Sequence, residues 1–217
     1  MLVTGSNRSP YDHNVKLSIR LRQDGQFFSV EEALAQTVEQ GATVEVMVDG
    51  AVCVPFPRKE ADRIDLRALL SDAGVPVAEG DGVVVSHSES PVAYAIWVEK
   101  DAYERLTEWA EKSGATLTFA TPLAGVVARA IVGSKHDKCV VVSRSNGALY
   151  VAHTTEHKLL FAEALPVAVE GFDEVLYAMA VLNGDFDLRR ADIIIIGMGG
   201  KELYKVLRRH FRRCKCE

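Results

Sequence analysis

Apolar and polar residues alternate along Lys16-Leu-Ser-Ile-Arg-Leu-Arg22, the two-residue period of a strand with one buried face. Asp24-Gly25 follows as a turn pair, and Phe27, Phe28 and Val30 supply a returning strand. Ser29 to Glu39 has a looser, helical spacing of apolar residues. Thr43 to Val48 reads as a third strand. Asp49-Gly50 is a second tight turn, after which Ala51-Val-Cys-Val54 pairs back until Pro55 and Pro57 end it. The pattern predicts a helix over Asp62 to Leu70, strands over Gly82–Ser86 and Ala93–Val98, and an amphipathic helix over Lys100 to Lys112. Ala102, Leu106, Trp109 and Ala110 form its stripe, and Ser113-Gly114 closes it. Thr116 to Phe119 is a short strand, and Thr121-Pro122 opens a helix of small residues through Ile131.

The order then repeats. Lys138 to Ser145 is a strand, Asn146-Gly147 a hairpin dipeptide, Ala148 to Ala152 its return and Lys158 to Ala164 a third strand. Phe172 to Val181 reads as a helix. Ala191-Asp-Ile-Ile-Ile-Ile196 is a continuous β-branched run, the mark of a buried parallel strand. Gly197-Met-Gly-Gly200 leads into a terminal helix expected to reach about Arg213. This organisation gives a polar arm over residues 1–13, one lobe over 14–133 and a second over 134–217, with the seam near Gly133 to Asp137.

Composition narrows the picture. Of 217 residues, 48% are hydrophobic and 25% charged, which describes a globular chain. The net charge of −5 argues against a general nucleic-acid binder. No apolar run reaches the ~20 residues of a membrane span, and the opening residues lack a signal-peptide pattern, so the cytoplasm is the expected compartment. Cys53 and Cys139 sit inside apolar runs as small core residues. Cys214 and Cys216 form a Cys-x-Cys pair without the second pair a structural zinc site needs, so no metal is expected. Charge is unevenly placed. From residue 201 onward, Lys201, Lys205, Arg208, Arg209, Arg212, Arg213 and Lys215 face only Glu202 and Glu217. Those cations either complement the dipole of the helix end or form a docking patch, chiefly Arg208, Arg209, Arg212 and Arg213.

Candidate chemistry is sparse. Gly197, Gly199 and Gly200 lie between a buried strand and a helix start, where a ligand can approach free backbone N–H groups; the competing reading is a tight turn that needs glycine. Ser143, Ser145, Asn146 and Gly147 could cradle a phosphate through hydroxyls and turn amides, or form a plain hairpin. The histidines, His87 among them, are scattered and read as solvated or hydrogen-bonded. No hydrolase elbow surrounds Ser86 or Ser88, and no catalytic residue is assigned.

The repeated order, with its glycines before the last helix, resembles the actin-like ATPase superfamily of actin, the 70-kDa heat-shock chaperones and sugar kinases. More specifically, Leu17 to Gly25 matches the opening Leu-Ser-Ile-x-Leu-x-x-Asp-Gly of a small bacterial family of uncharacterised function with a degenerate actin-like fold. Ile194 to Gly200 resembles the adenosine motif. Lys16 to Arg22 and Val141 to Ser145 fall where the two phosphate motifs would be, and Thr121 to Ala128 resembles the linker helix. The resemblance implies an α/β fold of duplicated actin-like (ribonuclease H-like) lobes, with mixed sheets and helices on the faces, and ATP as the candidate ligand.

It also implies a damaged active site. The family's hairpin aspartates would fall at Arg20 and Ser143, and its hairpin glycines at Arg22 and Ser145. Mg-dependent phosphoryl transfer lacks its carboxylates, while arginine still favours an anion. The expectation is a non-catalytic binding or scaffold protein, like the cytoplasmic assembly proteins of pili and secretion systems. The alternative is an ATPase or kinase with displaced carboxylates, Asp24 or Asp137. A protein partner is expected, with a second copy of the chain also considered; RNA or an anionic membrane surface ranks behind.

Overall fold

The structure, a computed structural model, describes residues 15–24, 27–86, 91–145, 147–197 and 199–217. The proposed arm, Gly25, His87 and Asn146 lie outside the described residues.

The first sheet begins with β1 (Val15–Asp24), hairpin-paired to β2 (Phe27–Ser29), with Arg22 opposite Ser29. A single helical turn, α1 (Glu31–Leu34), carries the chain across to β3 (Thr43–Asp49), parallel to β1. β3 therefore flanks β1 on the side away from β2. The chain then leaves this sheet. β4 (Cys53–Pro57) does not pair back on β3, as the turn at Asp49-Gly50 suggested; it pairs with a later strand, β6 (Val92–Val98). Three antiparallel strands, in the order β4, β6, β5 (Gly82–Val85), form a separate small sheet, with α2 (Leu66–Asp72) between β4 and β5. Gly50, at φ 153°, leaves β3 in an extended glycine conformation that turns the strand away instead of closing a hairpin.

α3 (Lys100–Ser113) follows, its N-terminal amides at Asp101 and Ala102 capped by Glu99 and its end closed by left-handed Gly114. Its buried stripe, Ala102, Leu106 and Ala110, recurs every four residues, as the pattern required. β7 (Thr116–Ala120) returns to the first sheet parallel to β3, giving the order β2-β1-β3-β7.

α4 (Pro122–Val132) links the halves, with Thr121 as N-cap and Pro122 at the first helical position. It packs on β8 (Lys138–Ser145), β9 (Ala148–Thr155) and β10 (Lys158–Pro166) of the last sheet and also touches β3. α5 (Asp173–Phe186), β11 (Asp192–Ile195), α6 (Gly200–Leu207) and β12 (Cys214–Cys216) complete the chain. The sheet order is β10-β9-β8-β11-β12, with β11 parallel to β8 and β12 parallel to β11. The duplication is now visible. A hairpin strand, a first strand and two parallel strands recur as β2-β1-β3-β7 and β9-β8-β11-β12.

Alternation in β8 divides the core. Cys139 and Val141 face one apolar cluster, shared with α4 and the first two sheets; Val140 and Val142 face another, shared with α5 and α6. Both buried cysteines are free thiols, and burial pushes that of Cys53 up to about 12. Among the described residues, no helix is long and apolar enough to cross a membrane.

The terminal helix is shorter than its periodicity suggested. It stops at Leu207, so Arg208 lies at its end and Arg209, Arg212 and Arg213 beyond it. Continued helix would stack Arg208 on Arg212 and Arg209 on Arg213, like-charge pairs one turn apart. Instead Phe211 turns into the second core and β12 pairs with β11. Arg129 then grips the end of β12: its Nε and Nη2 donate to the two Glu217 carboxylate oxygens at 2.6 and 2.8 Å, and Lys215 adds a third contact.

Those donors, Arg129 first, hold the Glu217 carboxyl down at about 2, against an ordinary 4.5. A depressed carboxyl stabilises the fold above its unfolded value and loses that contribution as pH falls through its folded value. Glu217→Gln is therefore expected to lower stability at pH 7 by at most about 1 kcal/mol, since the pair is solvent-accessible. The gap between variant and parent urea midpoints should close between pH 4.5 and 2. A gap that persists unchanged at pH 2 contradicts the pairing.

Candidate functional site

The two hairpins meet across the seam between the halves. At the end of β3, Asp49 is fully buried, a costly place for a carboxylate without donors. Tyr150 Oη, from β9, donates to its Oδ1 at 2.7 Å, and Ser145 Oγ, from β8, donates to its Oδ2 at 2.5 Å. Arg20 Nη1 stands 3.5 Å from Oδ2. The Gly50 N–H in turn donates to Tyr150 Oη at 2.7 Å, so the phenol both gives and receives. Burial, and then the neighbouring Asp49 charge, push the Tyr150 hydroxyl well above the usual tyrosine range, so it stays a donor. Arg20 comes from the first hairpin and Ser145 from the second; both point their polar atoms at Asp49.

Beside this network opens a cleft of about 750 Å³, lined in part by Arg22, Val75, Gly147, Glu163 and Val167. Arg22 and Gly147, one from each hairpin, are its candidate anion contacts. Gly147 holds φ 72°, and its carbonyl accepts from Val167 N–H at 2.7 Å. Arg144 turns away: one guanidinium nitrogen donates to the carbonyls of Ala168, Val169 and Gly171, and the group stacks 4.8 Å over Phe172. That arginine organises the loop before α5.

The glycine turn splits into two roles. A Cβ on Gly197 would stand 2.8 Å from Ser143 Oγ, so Gly197 and Ser143, both sequence candidates, are brought together. Gly197, at φ 88°, is needed for close packing against β8. Gly199, at φ 75°, has open space around it, and Gly200 packs on Cys216 and Ile195. An open backbone at a helix start remains approachable by a ligand, but the turn does not line the cleft that holds Arg22 and Gly147.

Of the displaced carboxylates considered from sequence, Asp137 lies at the opposite end of β8, about 26 Å of strand away from Ser145, and Asp24 ends β1 at the first hairpin, its side chain outside the described residues. The carboxylate on which side chains of both hairpins converge is Asp49. Its sequence signal, Asp-Gly after a strand, reads as a turn, and nothing local reveals that Tyr150 and Ser145 converge on it. Of the histidines, His136 pairs with Asp192 at 2.8 Å. His153 departs from expectation: it is buried against Phe186, and neither ring nitrogen has a hydrogen-bond partner among the described residues. No group of three His, Cys, Asp or Glu side chains able to hold a metal occurs among the described residues. Arg208, Arg209, Arg212 and Arg213 are all exposed, with Arg208 over the Tyr204 ring and Arg213 bonded to the Arg190 carbonyl.

The two glycines give separable outcomes. Gly199→Ala should cost only the left-handed backbone strain, about 1–2 kcal/mol. Gly197→Ala should add ~1–3 kcal/mol of overpacking against Ser143, and a Ser143→Ala background should recover that added part. Urea denaturation of the four variants checks this; equal costs at 197 and 199 contradict it.

No protein-family model and no curated protein matches the sequence. Solved structures do. A Bacteroides thetaiotaomicron protein with an actin-like ATPase fold and unknown function superimposes over 85% of this chain and 70% of its own, with a TM-score of 0.63 at 15% identity. The PilM–PilN type IV pilus biogenesis complex aligns over 80% of this chain and 69% of its own (TM-score 0.46, 13% identity). The cytoplasmic domain of EpsL, an inner membrane component of the type II secretion system of Vibrio cholerae, aligns over 76% and 64% (TM-score 0.37, 9% identity). The first superposition, over 85% of the chain, carries the assignment: this chain has the actin-like ATPase fold.

Proposed function

We propose that this chain is a non-catalytic binding or scaffold protein of the cytoplasm, built on an actin-like fold and able to hold a nucleotide's anionic part without turning it over. The observation that carries the reading is the Asp49 network. At the mouths of the two hairpins, Arg20, Ser145 and Tyr150 spend their polar atoms on one buried carboxylate and so tie the halves together. A magnesium-bound triphosphate needs carboxylates free to act through the metal's water shell, and donors free to face phosphate. Asp49 is enclosed by donors and solvent-inaccessible, so the donor set does not fit the metal. Arg22, Gly147 and the open Gly199 turn fit an anion. Gly147, beside Arg22 in the cleft, and separately the open Gly199 turn are the proposed contacts for such a ligand, since Ser145 is taken up by Asp49 and Gly197 and Gly200 by packing; Arg208, Arg209, Arg212 and Arg213 are a proposed contact for an acidic partner.

One observation favours the second reading, an ATPase with a displaced carboxylate. Asp49 does lie between the hairpins, and a rearrangement that released it would put a carboxylate near a bound phosphate. Calorimetric titration with ATP, with and without magnesium, and phosphate release on the same protein separate the two. The expected result is no turnover above background, and any ATP affinity insensitive to magnesium and weakened at least several-fold by Arg22→Ala. Turnover that disappears in Asp49→Asn would establish the second reading instead.

A further inference from the structure

The outer face of the last sheet is unevenly covered. α6 packs over β12, β11 and β8, and α5 buries Val175, Met179 and Leu182 against the same sheet. Two helices, each ~10 Å across, cover about four strands spaced ~4.8 Å apart. The fifth strand, β10, is left over. Its register fixes which side chains point outward: Phe161 lies opposite His153, Glu163 opposite Val151 and Leu165 opposite Leu149. Val151 and Leu149 belong to the core under α5, so Phe161, Glu163 and Leu165 share that face, which α5 covers only in part: Phe186 packs on Phe161, ring centroids 5.3 Å apart, and Glu163 stays exposed.

The gap is a groove of about 480 Å³ between β10 and α5. From α5 it receives Glu174, Tyr177, Ala178, Val181 and Asp185, one continuous helical stripe. Tyr177 is 74% exposed and Val181 50%, an unusual outlay of large apolar surface beside a half-covered Phe161. The polar residues of the groove are all of one sign. Glu174 and Asp185 stand at its two ends, about 16 Å apart along the helix axis, and Glu163 lies in its floor. None of the three has an ion pair among the described residues. Burial raises the Glu163 carboxyl above its ordinary value.

We propose that this groove is the docking site for a cationic amphipathic helix of a partner protein, about three turns long, lying over β10 beside α5. Its apolar side chains would cover Phe161, Leu165, Tyr177 and Val181, and Lys or Arg on its flanks would meet Glu163, Glu174 and Asp185. A second copy of this chain is the poorer occupant. Its basic segment buries its own apolar residues, Leu203, Leu207 and Phe211, in its core and has arginines but little apolar surface to offer. The proposal deepens the scaffold reading and rests on it.

The test uses a fluorescein-labelled 15-residue amphipathic peptide of Leu, Ala and Lys, followed by anisotropy against the full chain. The control peptide has the same composition with its leucines spread around the helix. The amphipathic peptide should bind at least tenfold more tightly than the control. Tyr177→Ala/Val181→Ser and, separately, Glu174→Lys/Asp185→Lys should each weaken it at least tenfold. Glu108→Lys/Glu111→Lys, on exposed α3, should change it less than twofold. All variants alter solvent-facing positions, and circular dichroism checks that each stays folded. Absent binding, equal binding of the two peptides, or binding indifferent to the groove variants would overturn the proposal. So would a concentration-dependent dimer in sedimentation that Tyr177→Ala/Val181→Ser abolishes, since the occupant would then be a second copy. ATP turnover by a protein that also passes the peptide test would remove the scaffold reading and leave the groove standing.

Discussion

A fully buried carboxylate must be surrounded by donors or become neutral, and the architecture around Asp49 follows from that constraint. The residue ends β3 in the first half, yet its strongest partners, Tyr150 and Ser145, come from the second. Each half thus completes the other's polar accounting at the point where the two hairpins face one another. Arg20, half out in solvent, adds charge to the open side of the network. The seam between the hairpins thus holds two sheets together. The surrounding apolar cluster agrees, since α4, β3 and the inner face of the last sheet bury their side chains in one continuous core.

Consequences spread outward from that seam. Gly50 must leave β3 extended so that its N–H can reach Tyr150, and this sends the next strand into a sheet of its own. With the inner face of the last sheet committed to α4, the open surface beside β10 lies on the outer face, where α5 reaches β10 through Phe186 against Phe161. The chain's acidic character and its basic segment are likewise separated in space. Carboxylates rim the β10 groove, and the arginines after Leu207 lie by the opposite edge, next to β12.

Much of this was legible in the sequence because it is local. Alternation at Lys16–Arg22, the run Ile193–Ile196, the Glu99–Gly114 helix and the Thr121-Pro122 helix start carry their own signals, and together they exposed the repeat behind the fold. What stayed hidden depends on pairing at long range. The partner of β4 is decided by β6, more than 35 residues away, and no turn residue reveals it. The end of α6 is decided by the competition between helical period and four clustered arginines, a contest that β12 settles by pairing with β11. At the site, Gly197 and Ser143 were both visible as candidates, but their contact was not. Asp49 was read as a turn residue because its donors lie about 100 residues further on.

A double-mutant cycle on Asp49→Asn and Tyr150→Phe, read by urea unfolding of the two single variants, the double variant and the parent, addresses the bridging role directly. Charge-assisted buried hydrogen bonds contribute about 1.5–3 kcal/mol each, so the account predicts large single losses and a coupling of at least about 1 kcal/mol, within one cooperative transition. Additive losses, with a coupling near zero, would show that the carboxylate does not hold the halves together and would contradict the account at its centre.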